Sequence, residues 1–277
     1  MGRAAAVVEC GSHYPRPLRG TLDTEAIFKA ERISFAYDGD HIALDQVDVT
    51  VQSGESLVIL GANGSGKSTL LKLLDGLYFP SQGTITAFGS PLTERALEDE
   101  SVNFAFRRRV GLVFQDADVQ LFSPSVLEEV AFAPLQLGLG REEVNKRVES
   151  SLRALGIEDL AGRAPHRLSG GEKRKVALAS ILSLQPEVWL LDEPTTGLDP
   201  RSQSWLINFI WEQNKAGKTL VTATHDLSVA ELIATRIYVF GTDHQIAASG
   251  TIEEILGNHE LLHACNLAHY HLAKKHD

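Results

Sequence analysis

Three short stretches of this 277-residue chain carry residue types whose spacing could do chemistry on a phosphate. The first is Gly61-Ala62-Asn63-Gly64-Ser65-Gly66-Lys67-Ser68, followed by Thr69, which fits G-x-x-x-x-G-K-[ST]. Glycines there let backbone N–H groups turn inward around an anion, and a helix opening near Lys67 aims its positive end at the same point. Lys67 would reach the β- and γ-phosphates of a nucleoside triphosphate, and the Ser68 hydroxyl would bind Mg²⁺. The second stretch is Asp192-Glu193, at the tip of the apolar run Val188-Trp189-Leu190-Leu191. Adjacent carboxylates at a strand end are costly unless something cationic sits nearby. Next to the first stretch, Asp192 would hold Mg²⁺ through its water shell, and Glu193 would polarise the water attacking the γ-phosphorus. The third is Leu168-Ser169-Gly170-Gly171-Glu172-Lys173, a second helix start offering a hydroxyl and bare N–H groups. Taken singly, these stretches also read as a Gly-rich turn, an acidic helix N-terminus and an ordinary helix cap. Taken together they leave a puzzle: two anion-binding helix starts and one carboxylate strand to serve them.

The elements that must position these residues are legible from periodicity. Residues 27–35 and 47–51 alternate as half-buried strands do, with Asp38-Gly39-Asp40 as turn chemistry between them. Residues 55–60 form a short apolar strand, and residues 69–77 place Leu at helical spacing. Residues 83–88 and the end of 107–114 read as further strands. From 125 to about 162 the pattern is helical, with Val144, Val148, Leu152 and Leu155 on one face. Pro165 breaks the chain, and a long helix over 168–184 opens at Ser169, a good N-cap. Strands are expected at 188–191, 219–224, 236–240 and 245–248, with helices at 202–215 and 228–235. Strands alternating with helices predict a largely parallel sheet, with the 125–162 block as an inserted lobe.

Composition narrows the function classes. With 43% hydrophobic and 22% charged residues the chain has material for a sizeable core, which excludes wholesale disorder. Its 26 Lys plus Arg against 36 Asp plus Glu give a net charge of −10, which argues against a nucleic-acid coat, since phosphate backbones demand clustered cations. Cys10 and Cys265 make neither a disulfide framework nor a zinc site, so the chain reads as cytosolic. No stretch approaches the roughly 20 apolar residues of a spanning helix, and residues 1–24 lack the pattern of a signal peptide. Contact with a membrane is therefore expected through a partner.

In their order along residues 27–250 these motifs resemble the ATP-binding cassette (ABC) of a transporter. Gly61 to Thr69 matches Walker A, Leu168 to Glu172 the ABC signature, and Val188 to Glu193 Walker B with its catalytic Glu. Tyr37 matches the aromatic that stacks on adenine, Gln115 the Q-loop residue, Gly197-Leu198-Asp199 the D-loop and His225 the switch His. Alone, Tyr37 would be a strand aromatic, Gln115 a loop amide and His225 a strand-end histidine. The resemblance implies an α/β P-loop NTPase fold: a RecA-like core, an N-terminal antiparallel β subdomain and an inserted α-helical subdomain. It implies residues 1–25 as a loose extension, 26–252 as the ATPase domain with its helical lobe at about 116–168, and 253–277 as a His-containing tail. ATP and Mg²⁺ are the implied ligands. Catalysis would fall to Glu193, His225, Lys67 and Gln115, and Mg²⁺ to Ser68, Gln115 and Asp192. Nucleotide contacts would come from Tyr37, Gly61, Asn63, Gly64, Ser65, Gly66, Lys67, Ser68, Thr69 and Gln115, and from the partner's Ser169, Gly170, Gly171 and Glu172. In the family, ATP lies between the Walker A of one subunit and the signature of the other, which resolves the puzzle of the two helix starts. A dimer with two working sites is expected, a homodimer or possibly a heterodimer.

Residues 114–124, Phe-Gln-Asp-Ala-Asp-Val-Gln-Leu-Phe-Ser-Pro, are similar to the Q-loop region of energy-coupling-factor (ECF) ATPases, which power uptake of cobalt, nickel and vitamins. Asp116-Ala117 stands where that family usually has Asn-Pro. The similarity implies a peripheral ATPase on the cytoplasmic face of the cell membrane, bound to an ECF transmembrane subunit and a substrate-specific membrane subunit. Cobalt or nickel is the favoured solute, with vitamins as the alternative. Leu121 and Phe122 are expected as an exposed pair that docks a membrane partner, or else as packing for the helical lobe. His259, His263, His269, His271 and His276 suggest metal binding or simply a solvated tail. DNA-acting or ribosome-acting ABC proteins are disfavoured, since long coiled coils and a second cassette are both missing. P-loop kinases and GTPases lack the Leu168 to Glu172 signature.

Overall fold

The structure is a computed structural model that describes residues 26–268. Two long antiparallel strands, β1 (Ala26–Tyr37) and β2 (His41–Gln52), open it, joined where Asp38 and Gly39 take the left-handed backbone a tight turn requires. β3 (Ser56–Leu60) follows, buried at every residue, and leads through the Gly-rich loop into α1 (Lys67–Leu74). β4 (Gln82–Ala87) returns to pair antiparallel with β1, and β5 (Ser90–Pro91) extends that edge. The first sheet therefore runs β2-β1-β4-β5.

After α2 (Glu94–Leu97) comes α3 (Glu100–Arg107), a helix the periodicity did not announce. Its start is set locally: Asp99 Oδ1 accepts from the N–H groups of Ser101 and Val102. β6 (Val110–Val113) leads into the helical lobe, built from α4 (Ala117–Gln120), α5 (Val126–Gln136) and α6 (Arg141–Leu155). α7 (Gly170–Leu184) carries the chain back to β7 (Val188–Asp192), and α8 (Pro200–Lys215), β8 (Thr219–Thr224), α9 (Leu227–Ile233), β9 (Arg236–Phe240) and β10 (Ile246–Gly250) follow. The second sheet runs β10-β9-β3-β8-β7-β6, antiparallel only between β10 and β9.

The period of two along each strand splits the core into two layers around this sheet. Leu57 and Ile59 of β3, with Val188 and Leu190 of β7, face the side occupied by α1 and the first sheet. Val58 and Leu60, with Trp189 and Leu191, face the side covered by the lobe, α7, α8 and α9. On α6, Val144, Val148, Leu152 and Leu155 are buried as their spacing requires. Each such side chain contributes roughly 1.5–3 kcal/mol on leaving water.

The chain closes with α10 (Ile252–Leu256) and α11 (His259–Ala264). Ile255, Leu262 and Cys265 pack into the larger core, so the segment expected as a tail is folded as far as residue 268, because its apolar residues recur at helical spacing. His259 and His263 lie on α11, whereas His269, His271, His276 and residues 1–25 lie outside the described residues. Among the described residues no helix is long and apolar enough to cross a membrane.

Candidate active site

β3 is flanked by β9 and β8, and β8 by β7, so the segments leaving β3, β7 and β8 gather at one end of the sheet. The carboxyl ends of parallel strands are where such sheets take ligands. The loop after β3 begins with the Gly61 N–H donating to the Thr224 carbonyl at the end of β8, 3.3 Å away. It turns at Gly64, φ +82°, and reaches α1 through Gly66, φ +110°. A Cβ on Gly66 would lie 2.3 Å from the Ala43 carbonyl oxygen, so only glycine lets α1 start this close to β2. No side chain caps α1, which leaves its first N–H groups for an external acceptor.

Lys67 is only 5% exposed. Its Nζ donates to the Gly61 carbonyl at 2.8 Å and the Ala62 carbonyl at 3.0 Å, and lies 3.4 Å from Glu193 Oε1. Burial pushes its ammonium below the usual lysine range, with the Glu193 charge opposing. Ser68 Oγ donates to Asp192 Oδ1 at 2.8 Å. Burial raises the Asp192 carboxyl; the Ser68 hydrogen bond opposes this and the adjacent Glu193 charge adds to it. Glu193 stands at φ +42°, a left-handed backbone that costs a residue with a side chain about 1–3 kcal/mol. That turn lets its N–H donate to the Ala223 carbonyl at 2.9 Å while its carboxylate points into the site. Three neighbours fix the carboxylate: His225 Nδ1 at 3.0 Å from Oε1, and the Thr224 and Thr196 hydroxyls at 3.3 and 3.4 Å from Oε2.

Tyr37 reaches the same helix start from the first sheet, its hydroxyl 3.2 Å from Thr69 Oγ1. It makes edge contacts with Phe35 and Tyr78, which stack on each other with centroids 5.4 Å apart. Tyr37 thus belongs to an aromatic cluster at the rim of the Gly-rich loop, and Tyr78 was not anticipated. Asn63 and Gly64 lie at the exposed crest of the loop.

Of the residues expected to hold a metal, Ser68 and Asp192 are in contact. Gln115 follows β6 on the far side of β7, its carbonyl held by Arg174 Nη2. A hydroxyl, a carboxylate and an amide are hard oxygen donors, the set Mg²⁺ prefers, and the buried, raised Asp192 carboxyl is one that a divalent cation would stabilise in its charged form. Among the described residues no cluster of three or more His, Cys, Asp or Glu offers a different metal site.

The Leu168 to Glu172 stretch opens α7. Ser169 caps its own helix in a reciprocal box: its Oγ accepts from the Glu172 N–H at 3.4 Å, and Glu172 Oε2 accepts from both the Ser169 N–H and its hydroxyl at 2.7 Å. Those bonds hold the Glu172 carboxyl below the usual range. A Cβ on Gly170 would meet open space, and one on Gly171 only Ser202 Oγ at 3.7 Å, beside the cap that Asp199 makes on α8. One chain therefore assembles Tyr37, residues 61–69, Asp192, Glu193 and His225, and presents Ser169 and Gly170 exposed at the start of α7.

Sequence reasoning missed Thr196 and Thr224, which hold Glu193, and Arg174 and Gln120, which hold the Gln115 segment. Thr224 was within reach as the residue before His225; Arg174 was not, because only the folded lobe shows it buried. The expected Leu121–Phe122 pair divides. Leu121 packs on the larger core, whereas Phe122 is 66% exposed and meets Phe132 edge to face at 4.9 Å.

Residues 44–196 match the ABC transporter family. The chain is 49% identical to a nickel import ATP-binding protein of Rhodobacter capsulatus, over 87% of this chain and 95% of that one. It is 40% identical to an energy-coupling factor transporter ATP-binding protein of Methanocaldococcus jannaschii, over 87% and 85%. Among solved structures it is similar to cbiO1 of Clostridium perfringens, part of the ABC transporter complex cbiONQ, at a TM-score of 0.73 and 34% identity over 88% of this chain and 95% of that one. It is also similar to a dimeric post-hydrolysis state of the ATP-binding cassette MJ0796 bound to ADP and Pi, at 0.72 and 29% over 81% and 98%.

Proposed function

This chain belongs to the ABC transporter family as an ATP-binding subunit, and from that premise we propose that it hydrolyses ATP in a head-to-tail dimer to energise uptake of cobalt or nickel through membrane partners of the ECF type. The observation that carries the reading is the constellation of buried Lys67, Asp192 and Glu193, with His225 at its exposed edge, around an uncapped helix start, on a chain that also offers a second glycine-rich helix start.

In this reading the N–H groups opening α1, with Lys67 and Gly61 to Thr69, bind the β- and γ-phosphates, and Tyr37 receives the adenine. Glu193 orients the attacking water and accepts its proton; the water oxygen bonds to the γ-phosphorus as the bond to the β–γ bridging oxygen breaks, giving ADP and phosphate. His225 holds Glu193 in position. Ser68 and Asp192, with Gln115, would hold Mg²⁺, which when bound neutralises charge on the phosphates. Ser169 to Glu172 of a second copy close the site, so triphosphate favours the closed dimer by differential contact. Residues 26–252 are read as the cassette, 116–168 as its helical lobe, and the cytoplasmic membrane face as its place of work. The names of the relatives support a metal solute; the relative named as an energy-coupling factor protein supports a vitamin as the second reading.

Glu193→Gln should lower steady-state ATP hydrolysis by about a hundredfold or more while nucleotide still binds. Undiminished turnover would remove Glu193 as the base. Uptake of radioactive Ni²⁺ or Co²⁺ by cells with and without the chain tests the solute, and vitamin uptake lost in its place would select the second reading.

A further inference from the structure

The segment leaving β6 is gripped by side chains that hydrolysis itself does not explain. Arg174, one turn into α7, is only 5% exposed. Its Nη1 donates to the Phe114 carbonyl at 2.6 Å and its Nη2 to the Gln115 carbonyl. The planar fork of a guanidinium holds two successive carbonyls from two nitrogens in one fixed geometry, where an ammonium offers a single point donor. The Phe114 N–H, on the other side of the same residue, donates to Gln120 Oε1 at 3.2 Å. Gln120 Nε2 in turn donates to the Ala177 carbonyl and Ser180 Oγ of α7, at 3.1 and 3.3 Å. Lys173 adds an ion pair to Asp118. Every anchor lies within residues 173–180, on the helix that Ser169 opens.

Burying a guanidinium is unfavourable, and desolvation pushes Arg174 below its usual range, with Asp116 and Asp192 supplying the opposing charge. A cation kept there at that cost fixes the direction of the peptide between Phe114 and Gln115, and so the direction in which the Gln115 side chain leaves the strand. Helices are stiff over two turns, so whatever displaces residue 115 displaces the start of α7.

We propose that Arg174, assisted by Gln120, is a positioning residue that fastens the Gln115 segment to α7, so that Gln115 in one nucleotide site and Ser169, offered to the other, move as one body. This rests on the reading of Gln115 and Ser169 given above. It makes each chain report the state of its own site to the site it completes on its partner.

The test compares the full-length chain with Arg174→Lys, Arg174→Met and Gln120→Leu. The readouts are ATP turnover, ATP binding, melting and amide hydrogen exchange over residues 114–123. Arg174→Lys should melt and bind ATP as the parent does, lose between about tenfold and a hundredfold in kcat, and lose cooperativity in ATP. The 114–123 amides should exchange faster in all three variants. Parent-like kcat, cooperativity and exchange in Arg174→Lys overturn the clamp, as do losses of kcat that only follow melting. Should Arg174→Met fail to fold, Gln120→Leu decides by the same exchange. A parent that binds ATP without hydrolysing it would overturn the catalytic reading alone, since exchange still judges the clamp.

Discussion

Two helices in this molecule begin on glycine-rich sequence, and they begin differently. α1 starts at Gly66 with a left-handed backbone, no side-chain cap and a buried lysine at its first position. α7 starts at Ser169 with two of its four orphan donors, the Ser169 and Glu172 N–H groups, answered by its own residues. The first is a cradle whose donors wait for an outside acceptor, held by contacts with β2, β7 and β8. The second is closed by a reciprocal box between its own residues, with Ser169 exposed and its hydroxyl already donating to Glu172. Similar composition thus gives an uncapped cradle in one place and a self-capped helix start in the other.

The largest effect is expected where that difference is built into the backbone. Gly66→Ala puts a Cβ against the Ala43 carbonyl and strains a left-handed residue, so the chain should lose roughly 1–3 kcal/mol of stability. ATP affinity should fall at least about tenfold, the worth of one charge-assisted hydrogen bond. Denaturant melts and calorimetric titration check both, and a variant that binds like the parent would show α1 to be no more special than α7.

Next in size is Ser169→Ala. It removes the cap of α7 and should cost about 1 kcal/mol in denaturant melts. ATP binding to the isolated chain should be unchanged while turnover of the dimer falls by about tenfold or more. Weakened binding by the isolated chain would mean that the two helix starts serve one site in cis.

A third effect, read in pH and not in nucleotide binding, concerns the far end of α1, where Arg107 donates to the Asp75 carboxylate and to the carbonyls of Asp75 and Gly76. Burial lifts the Asp75 carboxyl from 3.8 to about 7, and Arg107 opposes that rise. With the folded pKa above the unfolded one, the folded state binds the extra proton between about pH 4 and pH 7, so this group makes stability fall as pH rises through that window. Asp75→Asn should remove that slope, by at most about 4 kcal/mol across the window. Melts at both pH values check it; an unchanged slope would show that the Arg107 contacts outweigh burial.

Much of the site was legible because its chemistry is local. The Gly61 to Thr69 stretch and the Asp192-Glu193 pair each lie within a few residues, and each follows a strand that apolar residues alone mark out. The strands at residues 219–224 and 236–240 match their periodicity residue for residue. α3 was missed because, of its apolar residues, only Phe106 is buried while Val102 and Phe104 are exposed, so its start is marked by the Asp99 cap alone. The folding of residues 253–268 was missed because Leu262 and Cys265 read as part of a polar, His-containing end until a core is there to receive them.

The sequence by itself determined that a loop of triphosphate-binding pattern, a carboxylate strand and a second glycine-rich helix start share one chain, since each needs only its own neighbours to form. Only the tertiary structure decided that Glu193 is held by Thr196, Thr224 and His225, and that Arg174 and Gln120 carry the Gln115 segment on α7. The reason is physical. Those bonds join residues brought together by sheet order and by burial of the lobe, and no local pattern records which distant strand becomes a neighbour.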